Sequence, residues 1–274
     1  MLKFENVSFK RDDGPVLSGI NLKIAKGHCL CAVGKNGAGK STLCRLAGGL
    51  LLPTEGRVLM NGTETSEKKQ SKIRESISYV FQDPDRQLCR ETPLDEIICS
   101  LKAKKICNAE EKAAIQCARM GLPADGLLFT MSRGARQMTA IASAVASSPR
   151  LLILDEPTSA LDTAMRKSLA RIIKEEKARG AAILLITHDP EFAALCADDI
   201  LVLSDGSASL SAPAEEVLKD RKIAHMASFR LPVLCELALC LGIEPDINKS
   251  AEELAFAFCD SKERVTPDDK KSNS

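Results

Sequence analysis

No apolar run in this chain approaches the about 20 residues needed to cross a bilayer, and no charged-then-apolar leader opens it. Any membrane role is therefore expected to come through partners. An excess of charge is lacking too: the net charge of +1 removes the global argument for nucleic acid or an anionic lipid surface as a partner. Eleven cysteines are present, but none falls in paired C-x-x-C spacing, so neither a zinc site nor a disulfide framework is read from them. Cys29 and Cys31 alternate along an expected strand as small buried side chains, and the compartment is expected to be reducing. What remains is a chain of 274 residues, 45% hydrophobic and 27% charged, sufficient for one large domain with a small appendage. Two basic clusters, Lys68-Lys69 with Lys72 and Arg74, and Lys102 with Lys104-Lys105, are expected to be solvated helix faces.

The run Gly34-Lys35-Asn36-Gly37-Ala38-Gly39-Lys40-Ser41-Thr42 matches G-x-x-x-x-G-K-[ST]. It lies between an expected strand, Cys29 to Val33, and an expected helix, Leu43 to Leu51, which is the context a nucleotide-phosphate loop requires. Glycines let such a loop curl with its N–H groups inward, while the following helix offers its positive end to the anion. Lys40 is expected to reach the β- and γ-phosphates of ATP or GTP, and the Ser41 hydroxyl to ligate Mg²⁺.

Around this loop the periodicity predicts an α/β core. Two alternating stretches, Leu2 to Phe9 and Val16 to Ile24, flank a turn at Asp12-Asp13-Gly14-Pro15 and read as an antiparallel edge. A strand from Arg57, the turn Asn61-Gly62, a polar helix and the strand Ile77 to Phe81 follow. Residues of about 92–147 read as a helical subdomain inserted into the core. The apolar runs Leu151 to Leu154 and Ala181 to Thr187 suit strands covered on both faces, separated by a helix through Lys177. A strand pair spans Asp199 to Leu210, and Leu231 to Ile243 and Ala251 to Phe258 are expected to form two small helices. The polar tail from Thr266 reads as disordered.

Asp155 and Glu156 end the strand Leu151 to Leu154. An acid there, near a phosphate loop, is placed to hold Mg²⁺, and Glu156 to orient or deprotonate an attacking water. The bland alternative is an acidic pair capping the helix that starts near Pro157. His188 follows its own strand, at the strand end where open α/β sheets hold ligands, and can bond a γ-phosphate or the water. His28 and His225 have no such placement and are assigned to structure. Gln82 follows Ile77 to Phe81, and its amide oxygen could ligate Mg²⁺ or hold water.

The order of these motifs, with Tyr79-Val80-Phe81-Gln82-Asp83-Pro84-Asp85, Ser159-Ala160-Leu161-Asp162 and Ile186-Thr187-His188-Asp189, resembles the ATP-binding cassette family over about residues 1–225. The resemblance implies a P-loop NTPase fold of that type, residues 1–228 as the nucleotide-binding domain, 229–265 as a helical extension and 266–274 as tail. It also implies a head-to-tail dimer, with each ATP clamped between one chain's phosphate loop and the other's signature loop, and a D-loop at Asp162. Phe81 to Leu88, Leu231 to Ala238 and Glu252-Glu253-Leu254 are similar to the ATPases of energy-coupling factor transporters, which import vitamins and transition-metal ions. That likeness implies a peripheral subunit on the cytoplasmic face of the cell membrane and a second, often non-identical ATPase. It implies also a transmembrane coupling protein docking near Gln82 and a small substrate-capture membrane protein.

Two departures stand out. The signature L-S-G-G-Q is replaced by Met131-Ser132-Arg133-Gly134-Ala135, which keeps Ser132 and Gly134 as the expected contacts to a partner's γ-phosphate. If the backbone at Arg133 must be left-handed, a non-Gly residue there costs about 1–2 kcal/mol. An arginine aimed at a phosphoryl group can also assist hydrolysis, but its bulk is expected to impair this loop. Where the family stacks adenine on an aromatic residue, spacing places Arg11, whose guanidinium can also stack. Two other functions remain open: a soluble cassette ATPase in DNA repair or translation, though no coiled-coil insertion or second cassette is visible, and a chain that holds ATP without splitting it.

Overall fold

The computed structural model describes residues 1–64, 75–226, 229–248 and 250–254. Ten strands are formed among them: β1 (Leu2–Arg11), β2 (Gly14–Ile24), β3 (Cys29–Gly34), β4 (Glu55–Met60), β5 (Thr63–Glu64), β6 (Ile77–Val80), β7 (Leu151–Asp155), β8 (Ala182–Ile186), β9 (Asp199–Ser204) and β10 (Ser207–Pro213). They divide into a four-stranded sheet of order β2-β1-β4-β5 and a six-stranded sheet of order β10-β9-β3-β8-β7-β6. In the larger sheet every pairing is parallel except β9 with β10, which gives it one antiparallel edge. The antiparallel pair expected from Leu2 to Ile24 lies at one edge of the four-stranded sheet, beside β4 and separate from the sheet that carries β3.

Strand alternation explains why the central strands read as unbroken apolar runs. Leu152, Leu154, Ile183, Leu185, Cys29, Cys31 and Val33 enter one apolar cluster, while Leu151, Ile153, Leu184, Ile186, Leu30 and Ala32 enter another. The first cluster is closed by the helices Arg133–Ala146 and Thr163–Ala178, through Met138, Ile141, Leu169 and Ile173. The second is closed by Leu43 and Leu46 of the helix Lys40–Ala47 and by Phe4, Val7, Leu17 and Ile20 of the small sheet. A sheet buried on both faces must be apolar at every position, because period-2 alternation sends neither face to water.

Between β6 and β7 the chain runs through the helices Pro93–Ala103, Ala109–Met120 and Arg133–Ala146, which share a smaller cluster of Ile97, Leu101, Ala113, Cys117 and Ala142. Local causes start two of them. Thr92 and Ser132 cap the first and third helices by accepting from Asp95 N and Ala135 N. Toward the C-terminus the helix Val233–Cys240 forms within the expected Leu231 to Ile243 stretch. The expected polar helix after Asn61-Gly62, the cluster Lys68-Lys69-Lys72-Arg74, most of Ala251 to Phe258 and the tail lie outside the described residues. No helix among the described residues is long and apolar enough to cross a membrane.

Lys104 corrects the sequence reading. It is not a solvated helix-face residue: its Nζ donates to Ile77 O (2.9 Å), Ser78 Oγ (2.7 Å) and Ser147 Oγ (2.9 Å). Burial lowers its pKa to about 8, yet three oxygen acceptors account for all three ammonium protons. Charge runs in sequence do not reveal this, because the acceptors come from β6 and from the end of the helix Arg133–Ala146, both far away along the chain.

Candidate nucleotide site

Four neighbouring strands, β3, β8, β7 and β6, all run parallel and so end on one edge of the sheet. There β3 gives way to the loop from Gly34, β8 leads to His188, β7 ends in the Asp155-Glu156 pair and β6 leads to Gln82. That edge is where parallel sheets hold ligands, since the strand ends and the helix N-termini face the same way. A cleft of about 420 Å³ opens there, lined by Arg11, Asn36, Gly37, Gly39, Lys40, Ser41, Thr42, Gln82, Asp155, Glu156 and His188, with Val16 and Ile186.

The loop is shaped by glycine. Gly39 stands at φ 99°, and a Cβ there would come within 2.5 Å of Leu17 Cδ2, so the small sheet presses on the loop where the helix Lys40–Ala47 begins. Lys40 is buried, and its Nζ donates to Gly34 O (2.7 Å) and Lys35 O (2.9 Å), which spans the loop from inside. Burial holds its pKa below the usual lysine value, opposed by Glu156 and Asp155. Ala38 N donates to Lys35 O (3.1 Å) and closes the turn.

Asp155 is buried at the end of β7, with its pKa raised by burial; hydrogen bonds from Tyr79 and Ser41 oppose the rise. Its carboxylate shares the cleft with the loop's Ser41 hydroxyl, and this all-oxygen pair has the hard-donor chemistry that suits Mg²⁺. Glu156 adopts φ 50°, unusual for a residue with a side chain, and its N–H donates to Ile186 O (2.9 Å). Its Oε2 accepts from His188 N (3.3 Å), while Oε1 is buried without a hydrogen-bond partner among the described residues. His188 Nε2 lies 3.2 Å from Oε1, but its alignment is not that of a hydrogen bond. Burial pushes the Glu156 pKa up to about 6, partly opposed by the His188 N–H. Burial, then Lys40, lowers that of His188, so the imidazole is neutral at neutral pH.

Ser132, Arg133, Gly134 and Asp162 do not line this cleft. Ser132 and Arg133 are exposed at the start of the helix Arg133–Ala146, and Asp162 caps the helix Thr163–Ala178 by accepting from Met165 N (2.8 Å). Arg133 is the first residue of its helix and has no positive φ, so the left-handed strain considered for it does not arise. Gly134 is constrained instead: a Cβ there would stand 2.7 Å from Ala160 O and 3.0 Å from Met165 Sδ.

Sequence reading missed three participants. Tyr79 donates its hydroxyl to Asp155 Oδ2 (3.1 Å). Arg136 forks onto both carboxylate oxygens of Asp85 (2.7 and 3.2 Å) and donates to Met131 O (2.6 Å), tying the segment after Gln82 to the signature loop. Gln87 bridges Tyr79 O and Phe81 N, standing in for a strand partner at the end of β6. Tyr79 and Arg136 meet their partners only through pairing of distant segments, whereas Gln87 bonds the chain a few residues before it; the one local signal for Tyr79 was a polar ring two residues before Phe81 in an apolar strand.

Comparison with known proteins agrees with this geometry. The sequence profile described as ABC transporter matches residues 17–159. An energy-coupling factor transporter ATP-binding protein of Mycoplasmopsis synoviae is 32% identical over 268 residues, covering 94% of this chain and 100% of that one. Among solved structures, cbiO1 of Clostridium perfringens, part of the ABC transporter complex cbiONQ, superimposes with a TM-score of 0.73 at 31% identity, covering 87% of this chain and 98% of that one. A dimeric ATP-binding cassette bound to ADP and Pi in a post-hydrolysis state gives 0.72 at 28% identity, covering 78% and 99%.

Proposed function

The chain belongs to the ABC transporter family, and on that premise we propose that it powers an energy-coupling factor type importer of a vitamin or transition-metal ion. ABC ATP-binding proteins hydrolyse ATP to power transport, so the chain is an ATPase coupled to transport. In the proposed assembly it sits on the cytoplasmic face of the cell membrane. It pairs there with a second, non-identical cassette beneath a transmembrane coupling protein, beside a small membrane protein that captures the substrate. The observation that carries this reading is the convergence of Lys40, Ser41, Gln82, Asp155, Glu156 and His188 on one cleft, together with likeness to an energy-coupling factor ATPase over nearly the whole chain.

In this reading the N–H groups from Asn36 to Thr42 and the Lys40 ammonium bind the ATP phosphates. Arg11 stacks on the base, from its place at the mouth of the cleft. Ser41, Asp155 and Gln82 would hold Mg²⁺, which when bound neutralises phosphate charge. Glu156 takes the proton from the attacking water, and neutral His188 donates a hydrogen bond to the γ-phosphate. Ser132, Gly134 and Asp162 serve the partner's ATP across the dimer.

A carboxylate is a base only when ionised, so turnover is expected to fall as pH drops through about 6, the Glu156 value. A kcat–pH profile of the assembled complex checks this; an acid limb confined below pH 5 would assign the loss to another group.

The assembly is tested by tagging the chain in its native cell, solubilising membranes gently and identifying by mass spectrometry what copurifies. A second cassette with an intact L-S-G-G-Q plus integral membrane proteins is the expected result. Recovery of soluble proteins only, or of the chain alone, overturns the importer reading.

A further inference from the structure

We infer that Tyr79 is a positioning residue for the cation site, its hydroxyl holding the Asp155 carboxylate in the orientation that receives the metal. The inference rests on the assignment of Asp155 to Mg²⁺ given above and adds a residue on the neighbouring strand.

The sheet places the two groups together. β6 and β7 pair in parallel with Tyr79 opposite Ile153, so Asp155, two residues further along β7, projects from the same face as the tyrosine. That face lies under the helix Lys40–Ala47, which carries Ser41. Tyr79 Oη donates to Asp155 Oδ2 at 3.1 Å, and Ser41 lines the same cleft as this carboxylate. With one of its oxygens held by a donor, the carboxylate does not spin freely about its terminal bond, and its remaining lone pairs are aimed.

The ring itself is clamped. It stacks on Phe81 with centroids 4.5 Å apart and planes at 34°, and a Cβ at Gly48 would touch its Cδ2 at 3.4 Å. Gln87 fixes the backbone on either side by bonding Tyr79 O and Phe81 N. A phenol facing an ionised carboxylate is the donor, since the carboxylate only accepts. A group that binds no metal but fixes one that does is the arrangement whose loss typically weakens metal binding by about 10- to 100-fold.

Tyr79→Phe removes one oxygen and keeps the ring against Phe81 and Gly48. The test is titration of the full chain, loaded with ADP, with Mn²⁺ as a paramagnetic stand-in for Mg²⁺, reading free Mn²⁺ by electron paramagnetic resonance. ADP affinity without metal is measured in parallel, and Asp155→Asn serves as reference. The expected result is Mn²⁺ binding weakened about 10-fold or more in Tyr79→Phe, with metal-free ADP affinity unchanged and Mn²⁺ binding abolished in Asp155→Asn. Mn²⁺ affinity unchanged in Tyr79→Phe while Asp155→Asn abolishes it overturns the role of Tyr79 alone. Mn²⁺ binding that survives Asp155→Asn overturns the cation site itself. A loss of metal-free ADP affinity equal to the loss of Mn²⁺ affinity in Tyr79→Phe makes the tyrosine scaffold and also overturns the proposal.

Discussion

In the Glu156→Gln chain, ATP hydrolysis falls by about 10²- to 10⁴-fold, ATP binding survives, and ATP-bound dimers accumulate. The size of the effect follows from what the carboxylate lacks. Its Oε1 is buried and has no hydrogen-bond partner among the described residues, so an acceptor lone pair is held ready at the cleft. Its backbone stands at φ 50°, a conformation that costs about 1–3 kcal/mol and persists only where the surroundings impose it, here with the N–H bonded to Ile186 O. Glutamine matches the shape and can still accept from His188 N, so the fold is undisturbed, but an amide takes no proton from water. Single-turnover hydrolysis with gel filtration in ATP gives both readouts, and normal turnover in the mutant would remove Glu156 from the role of base.

Restoring the signature, Arg133→Gly with Ala135→Gln, raises turnover of the assembled complex by up to about 10²-fold. The structure refines the reason. Arg133 is under no backbone strain, since it begins a helix whose hydroxyl cap, Ser132, is in place. Its neighbour Gly134 packs against Ala160 O and Met165 Sδ within the same chain and cannot be replaced without moving one of them. Position 133 faces solvent, so only what a partner brings to it constrains it. A long side chain there is expected to obstruct the close approach of a phosphate to the helix N-terminus. Steady-state ATPase of the reconstituted complex decides the matter: a rate unchanged or lowered counts against impairment and in favour of an arginine that assists.

Much of the cleft was legible in the sequence because its chemistry sits at strand ends. An apolar run followed by Asp155-Glu156, or by His188, announces both the strand and the group it delivers, and a glycine-rich run before Lys40 announces the loop. Parallel pairing then brings the ends together without further information, since neighbouring parallel strands all point one way. What stayed hidden depends on which segments pair. Tyr79 reaches Asp155 only because β6 lies beside β7, Arg136 reaches Asp85 across 51 residues of sequence, and Lys104 finds its oxygens on β6 and at Ser147. A lysine in a run with Lys102 and Lys105 looks solvated by composition, yet the packing of its helix against the sheet decides otherwise.

The bond from Tyr79 to Asp155 gives the protein an optical property. The chain contains one tyrosine and no tryptophan, so its ultraviolet emission beyond the weak phenylalanine band comes from a single ring. A carboxylate accepting from an excited phenol quenches it, which makes the brightness of that ring a gauge of how tightly Asp155 holds its proton donor. Whatever draws the carboxylate away, in this chain or in any larger assembly free of other tryptophan and tyrosine, is written in light from one known atom pair, with no dye attached and no residue changed.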